Sequence, residues 1–331
     1  MMDEMGILCQ LELSWWQQPG RQLTPELRKV AREALEEMIE AYYNHPCIYG
    51  WGISNEVSGN HEEVKRLADE VRRLDSTRIV DVLCNKIWRE LGNDPSLVLD
   101  LPTWNEYTGT WHGNNREELP ARLQRIGEAI GNRPLFITEN GLCEPAYTGG
   151  DATRIDDMLY HIKEWQKQDF VCGYIYFCVQ DYRTQMGEEG LGRWRIRRHG
   201  VCHTDLTPKA SYHVLRQLMS PIDIVEVKPA HAQGRRCRSG ISNPLQRTKW
   251  SANLRSSADH DAHIVLQVKN TIPSYTLRGY SLRYADSSGR QQSIALPDML
   301  PGERYPLVLR NVNAQYAFEV VRPGGFSVIK Y

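Results

Sequence analysis

Two glutamates carry the chemistry available to this sequence. Glu56 ends the run Trp51-Gly52-Ile53-Ser54-Asn55-Glu56, and Glu139 ends Leu135-Phe136-Ile137-Thr138-Glu139. Carboxylates at the C-terminal ends of two parallel strands are the equipment for splitting a glycosidic bond. One protonates the leaving oxygen while the other attacks the sugar carbon. The acid keeps its proton near neutral pH only where apolar neighbours or a second carboxylate raise its pKa. Taken singly, either glutamate could equally cap a strand or meet an arginine. Two of them, in matching contexts, point to the chemistry.

The elements that must position such a pair are visible as alternating patterns over residues 7–219. Short apolar runs at 7–13, 48–54, 79–84, 97–101, 135–139 and 173–179 read as strands. Between them lie helical patterns. Thr24 suits an N-cap, Pro25 the first helical turn, and Leu27, Val30, Ala34, Met38 and Ala41 one face. The next helices carry Val64, Leu67, Val71 and Leu74; Leu123, Ile126 and Ile130 after Pro120; and Met158, Leu159, Ile162 and Trp165. A last one opens at Thr207-Pro208 with Tyr212, Val214, Leu215 and Leu218. Strand-helix repetition of this kind predicts an α/β fold with a parallel sheet, open or closed into a barrel, and helices packed outside it. The spacing of 83 positions between Glu56 and Glu139 corresponds to about three βα units. Beyond residue 220 the pattern changes. Residues 221–245 read as a linker or long loops, and the segments 263–269, 277–285, 291–296, 304–309, 316–321 and 326–331, separated by turn residues, predict a small β-sandwich. The expected domains are therefore 1–220 and 221–331.

With 40 basic and 41 acidic residues among 331, the chain offers no electrostatic argument for nucleic acid or an anionic membrane surface. No apolar run approaches the roughly 20 residues needed to span a bilayer, and the start Met1-Met2-Asp3-Glu4 has no basic region leading into an apolar stretch. None of the eight cysteines forms a Cys-x-x-Cys pair; Cys9, Cys47, Cys84, Cys172 and Cys178 sit in apolar runs and read as free thiols. A cytoplasmic, reducing compartment is the expectation.

At this point the residues resemble a known family. Residues 45–56, His-Pro-Cys-Ile-Tyr-Gly-Trp-Gly-Ile-Ser-Asn-Glu, look like the acid/base strand of glycoside hydrolase family 2, the β-galactosidase and β-glucuronidase group. Ile137-Thr138-Glu139-Asn140-Gly141 is similar to its nucleophile strand, and Trp104-Asn105-Glu106-Tyr107-Thr108-Gly109-Thr110-Trp111 to its sixth-strand segment. Residues 3–12 resemble the second helix and third strand, residues 173–184 the eighth strand, and His199-Gly200-Val201 with Thr207-Pro208-Lys209 the run into the last helix. Family 1 shares Thr-Glu-Asn-Gly, but its acid/base motif ends Asn-Glu-Pro, whereas Val57 follows Glu56 here. The β-rich tail is similar, more weakly, to immunoglobulin-like modules.

The resemblance implies a (β/α)8 TIM barrel and a retaining exo-β-glycosidase working by double displacement. Glu56 would be general acid/base and Glu139 the nucleophile, their carboxyls about 5–5.5 Å apart. It further implies that Asn55 bonds the sugar 2-hydroxyl and that Tyr107 donates to Glu139, with Asn105 beside them. Trp51, Trp104 and Trp111, and also Trp15 and Trp16, are either sugar platforms or core residues. Glu12 either bonds a hydroxyl at the rim or makes a salt bridge, and Asp181 is expected to pair with Arg183. No metal or other cofactor is implied, and the partner is a carbohydrate substrate.

Three departures qualify this picture. The match begins at the second helix, so the first two βα units are expected to be missing, leaving a fragment, a catalytically impaired carbohydrate-binding remnant, or one part of an oligomer or complementing pair of chains. Phe177 stands where the family usually has Trp. The Asn-x-Lys element that reads a uronic carboxylate is replaced by Arg193, Arg195, Arg197 and Arg198, which favours a neutral, β-galactoside-like hexoside.

Overall fold

Thr24 and Pro25 open the first long helix as their chemistry requires. The Thr24 side chain accepts the Leu27 amide at 3.3 Å, and Pro25 occupies a position whose N–H has no helical partner. The computed structural model describes residues 1–17, 24–57, 59–143, 149–184, 196–229, 261–312 and 317–331. It divides into two units, Met1–Leu218 and Met219–Tyr331.

In the first unit a short helix α1 (Met2–Met5) leads to β1 (Cys9–Glu12), α2 (Pro25–Tyr42), β2 (Ile48–Asn55), α3 (His61–Leu74) and β3 (Ile79–Leu83). A one-turn α4 (Ile87–Glu90) precedes β4 (Thr103–Asn105), α5 (Leu119–Ala129), β5 (Leu135–Glu139), α6 (Gly150–Trp165) and β6 (Val171–Tyr174). The two-residue strands β7 (Tyr182–Arg183) and β8 (Ile196–Arg197) pair antiparallel before α7 (Ala210–Leu218). Strands β1-β2-β3 and β4-β5-β6 form two parallel sheets, with Leu11 opposite Trp51 and Trp104 opposite Ile137. They are joined across β3 and β4, where the Asn105 amide donates to the Cys84 carbonyl at 2.6 Å and the Thr103 hydroxyl donates to the Val82 carbonyl. Six parallel strands thus follow one another in chain order, as repeated βα units dictate. Among the described residues β1 pairs only with β2 and β6 only with β5, so the described pairings leave two edges and close no barrel.

Helices α3, α5 and α6 bury most of the apolar faces that their periodicity demands; α7 starts at Ala210 and not at Thr207-Pro208, with Tyr212, Val214, Leu215 and Leu218 only half-buried, and α2 needs a correction of its own. On α2 the buried stripe is Ala31, Leu35 and Ile39, while Leu27 and Val30 are exposed (43% and 54%). The helix is turned by about one residue relative to the expected face, leaving Ala34 and Met38 only partly packed. On α3, Val64, Leu67 and Val71 are buried as expected, and on α6 Met158, Ile162 and Trp165 are joined by His161. The apolar run 97–101 is a further correction. Asp94 accepts the Ser96 amide at 2.9 Å and caps a 3-10 turn over Pro95–Val98, so the strand comes later, at Thr103–Asn105.

The second unit holds β9 (Ile222–Pro229), β10 (Ala262–Val268), β11 (Ser281–Ala285), β12 (Gln291–Ala295), β13 (Arg304–Leu309), β14 (Phe318–Val321) and β15 (Ser327–Lys330). Two antiparallel sheets, β13-β10-β9 and β12-β11-β14-β15, share one core. Alternation places Ala262, Ile264, Leu266 and Val268 of β10 inside, where they meet Leu282 and Val320. Residues 222–229, expected to be linker, pair with β10 as a strand; the remainder of that stretch, 230–245, lies outside the described residues.

Candidate active site

Parallel strands deliver their C-terminal ends to one rim, and the two glutamates meet there. Glu56 follows the last residue of β2, with its backbone at φ +56°, the left-handed region that L side chains seldom adopt. Its carboxylate accepts Trp16 Nε1–H at 2.8 Å on Oε2 and, at 3.4 Å each, Gln17 Nε2–H on Oε2 and Asn105 Nδ2–H on Oε1. Glu139 ends β5. Its Oε2 accepts the Tyr107 hydroxyl at 2.8 Å and its Oε1 the Asn55 amide at 3.3 Å. Asn105 donates to Asn55 Oδ1 at 2.9 Å and accepts from the Thr138 hydroxyl at 2.7 Å. Asn55 and Asn105 therefore bridge the two carboxylates, so the fold brings Glu56, Glu139, Asn55, Asn105 and Tyr107 into one hydrogen-bonded group.

Burial sets the electrostatics. It lifts the Glu139 carboxyl to about 7, against the Tyr107, Asn55 and Asn105 hydrogen bonds, with the Glu56 charge adding to the lift. Tyr107, itself buried, has its phenol pushed further above the ordinary range and remains a donor. Glu12 on β1 faces the same group. Burial and then the charges of Glu139, Asp81 and Glu56 push it to about 8, so it holds its proton at neutral pH. Gly52 makes room for it, since a Cβ there would lie 3.1 Å from Glu12 Cγ. Beneath it, burial raises Asp81 to about 7; one oxygen accepts from Gln10 and the other has no partner.

The tryptophans separate by burial. Trp51 is fully buried and donates from Nε1 to Asp75 at the end of α3 at 2.9 Å, so it supports the helix layer and is no sugar platform. Trp104 is also fully buried; strand alternation puts it opposite Asn105, away from the rim. Trp111 remains 40% exposed, 4.6 Å from the Tyr107 ring and stacked on His199 at 5.1 Å, with the Arg197 guanidinium 4.9 Å from its ring. Trp16, the exposed tryptophan after β1, holds Glu56 directly. Phe177 meets the edge of His199, and Gly141 is required beside it, because a Cβ there would lie 1.8 Å from the Phe177 carbonyl. Asp181 pairs with Lys209 at 2.9 Å and not with Arg183. Arg193 and Arg195 lie outside the described residues. Among the described residues no cluster of three or more His, Cys, Asp or Glu side chains is placed to hold a metal ion.

Sequence reasoning passed over one pair, Glu106 and His161, whose side chains meet at 2.5 Å in the interior behind the rim. A signal was available: His161 falls on the apolar stripe of α6 between Met158 and Trp165.

The family model described as "Glycosyl hydrolases family 2, TIM barrel domain" matches residues 7–224. The chain belongs to glycosyl hydrolase family 2. A relative of this family 2 chain, a beta-galactosidase of Thermoanaerobacterium thermosulfurigenes, is 29% identical over 250 residues, covering 72% of this chain and 32% of that protein. A beta-glucuronidase of Bacteroides fragilis is 24% identical over 213 residues, covering 57% of this chain and 30% of its own length. The chain spans about a third of the length of the curated relatives it matches. Of the solved structures, a beta-glucuronidase from an uncultured Clostridium sp. superposes with a TM-score of 0.57 at 22% identity, covering 66% of this chain and 41% of that one. A family 2 beta-galacturonidase from Eisenbergiella tayi, bound to galacturonate, gives 0.57 at 21% identity, covering 65% and 40%. These structural likenesses speak for the family 2 fold.

Proposed function

We propose that this chain carries the two catalytic carboxylates of a retaining exo-β-glycosidase acting on a terminal, neutral β-linked sugar, β-galactosidase-like in its preference. The observation that carries the reading is the bridged pair: Glu56 and Glu139 at the ends of β2 and β5, joined through the Asn55 and Asn105 amides. In this mechanism Glu139 attacks the anomeric carbon while Glu56 gives its proton to the glycosidic oxygen, and the aglycone departs as an alcohol. Glu56 then takes a proton from water, whose oxygen displaces Glu139 and releases the sugar with retained configuration. Ionisation of one member of such a pair raises the proton affinity of the other, which suits an acid beside a nucleophile. Tyr107 favours the charged form of Glu139, and Trp111 offers the exposed aromatic face at this rim.

The neutral-sugar preference rests on the sequence, where the uronate-reading Asn-x-Lys element does not stand before His199-Gly200-Val201; of the arginines that stand there, Arg197 lies over Trp111. For the second unit, the two sheets β13-β10-β9 and β12-β11-β14-β15 support an immunoglobulin-like reading, with the orders E-B-A and C′-C-F-G. The seven described cysteines are free thiols, in keeping with a reducing, cytoplasmic compartment.

One observation favours a second reading. The parallel strands have unpaired edges at β1 and β6 among the described residues. On that reading the chain is an impaired, carbohydrate-binding remnant until a complementing chain pairs with those edges. A panel of chromogenic β-glycosides, including galactoside, glucuronide and galacturonide, separates the two. Turnover above a Glu56→Gln/Glu139→Gln control supports the hydrolase and identifies the sugar, and a fluorinated inactivator is expected to label Glu139. Absence of turnover across the panel supports the remnant.

A further inference from the structure

We propose that the buried Glu106–His161 pair positions the Glu139 carboxylate from behind, acting through Tyr107. This deepens the proposed function, because it assigns a positioning role within the same site.

The geometry is a clamp between two dipeptides. The Glu106 amide donates to the Glu139 carbonyl at 2.7 Å, and the Asn140 side-chain amide donates to the Glu106 carbonyl at 2.7 Å. The next residue, Tyr107, reaches Glu139 Oε2. What holds Glu106 is its own carboxylate, fully buried, which accepts the Thr108 amide at 2.6 Å on one oxygen and faces His161 Nδ1 at 2.5 Å on the other. His161 projects from α6, and its Nε2 lies 3.5 Å from Asp157. Burial acts to discharge both partners; each opposes this in the other, so that His161 rises to about 10 and Glu106 falls below the usual carboxylate range. An ion pair so deep serves as a fixed post, because removing either member strands the other's charge. Next to it the loop 106–112 has a second, uncharged fastening: the Tyr107 amide donates to His112 Nδ1 at 3.2 Å, and burial lowers His112 to about 4. Glu56 from the end of β2, Glu12 from β1 and Tyr107 beyond β4 face Glu139. His161 Nδ1 meets Glu106, the residue next to Tyr107, so its influence on Glu139 runs through the position of Tyr107.

The test reads the Glu139 carboxyl directly, by 13C NMR of glutamate-labelled chain across the pH range, with Glu139→Gln identifying the resonance. His161→Leu is expected to raise the Glu139 pKa by about one unit, as loss of a hydrogen bond to the charged form does. Tyr107→Phe is expected to do the same, and the double variant no more than either, because both lose one bond. His161→Asn, which keeps an N–H for Glu106, should restore part of the shift; it also carries the test if His161→Leu does not fold, since an unmoved Glu139 in it together with a neutral wild-type His161 at pH 7 overturns the proposal. Additive shifts in the double variant, or no shift in folded His161→Leu, also overturn it. None of these readings needs turnover. A chain that shows the shifts yet hydrolyses no glycoside sinks the hydrolase reading and leaves the clamp standing.

Discussion

Glu139 is asked to be charged in a place that burial makes unfavourable, and this tension has measurable consequences. Its carboxyl titrates at about 7 in the free site, so the proposed nucleophile is formed only as pH rises through that value. The acid limb of kcat/KM is expected near pH 7, and Tyr107→Phe should move it upward while lowering the plateau; an unmoved limb would show that Tyr107 does not tune the nucleophile. The same carboxyl bears on stability. The folded chain keeps the proton to about 7, while the unfolded chain releases it near 4.5, so its contribution to stability is lost as pH rises between those values. Glu139→Gln has no such loss. Its denaturation free energy should exceed that of wild type by on the order of 3 kcal/mol above pH 7, and the difference should shrink toward pH 4.5. Urea melts at both pH values check this.

At the scale of elements, the corrected face of α2 makes a paired prediction. Leu35→Ala removes a fully buried side chain and should cost about 2–5 kcal/mol. Val30→Ala, on the exposed side, should stay within about 0.5 kcal/mol. Equal costs in denaturant melts would return the helix to the face first expected. Most strands were legible because a buried parallel strand is a short apolar run. The run 97–101 has that composition too, but Asp94 and Pro95 cap a turn there, and local capping outweighed hydrophobicity. β9 was hidden because its sequence follows Ser220-Pro221 and leads into a Pro-, Gly- and Arg-rich stretch. Within the site, the residues named by motif came together, since Asn55, Glu56, Asn105, Tyr107 and Glu139 all sit at strand ends. Trp51 and Trp104 are fully buried, Trp51 donating to Asp75 at the end of α3, and composition carries no direction that would have told this.

At the scale of the whole molecule, two cores imply two folding units. The core built by Ile222, Ile264, Leu282, Val320 and Ile329 draws only on residues of Met219–Tyr331. That segment, produced alone, is expected to give a β-type circular dichroism spectrum and a cooperative thermal transition; a featureless melt would show that it needs the rest of the chain. A different consequence follows from the backbone at Glu56. Its φ of +56° suits glycine, so Glu56→Gly should be more stable than Glu56→Ala by about 1 kcal/mol. It would also delete the proposed proton donor. Any laboratory evolution of this chain for heat resistance, if it selects on survival of the fold alone, will therefore be drawn toward erasing its acid, and must carry a second selection for turnover to keep it.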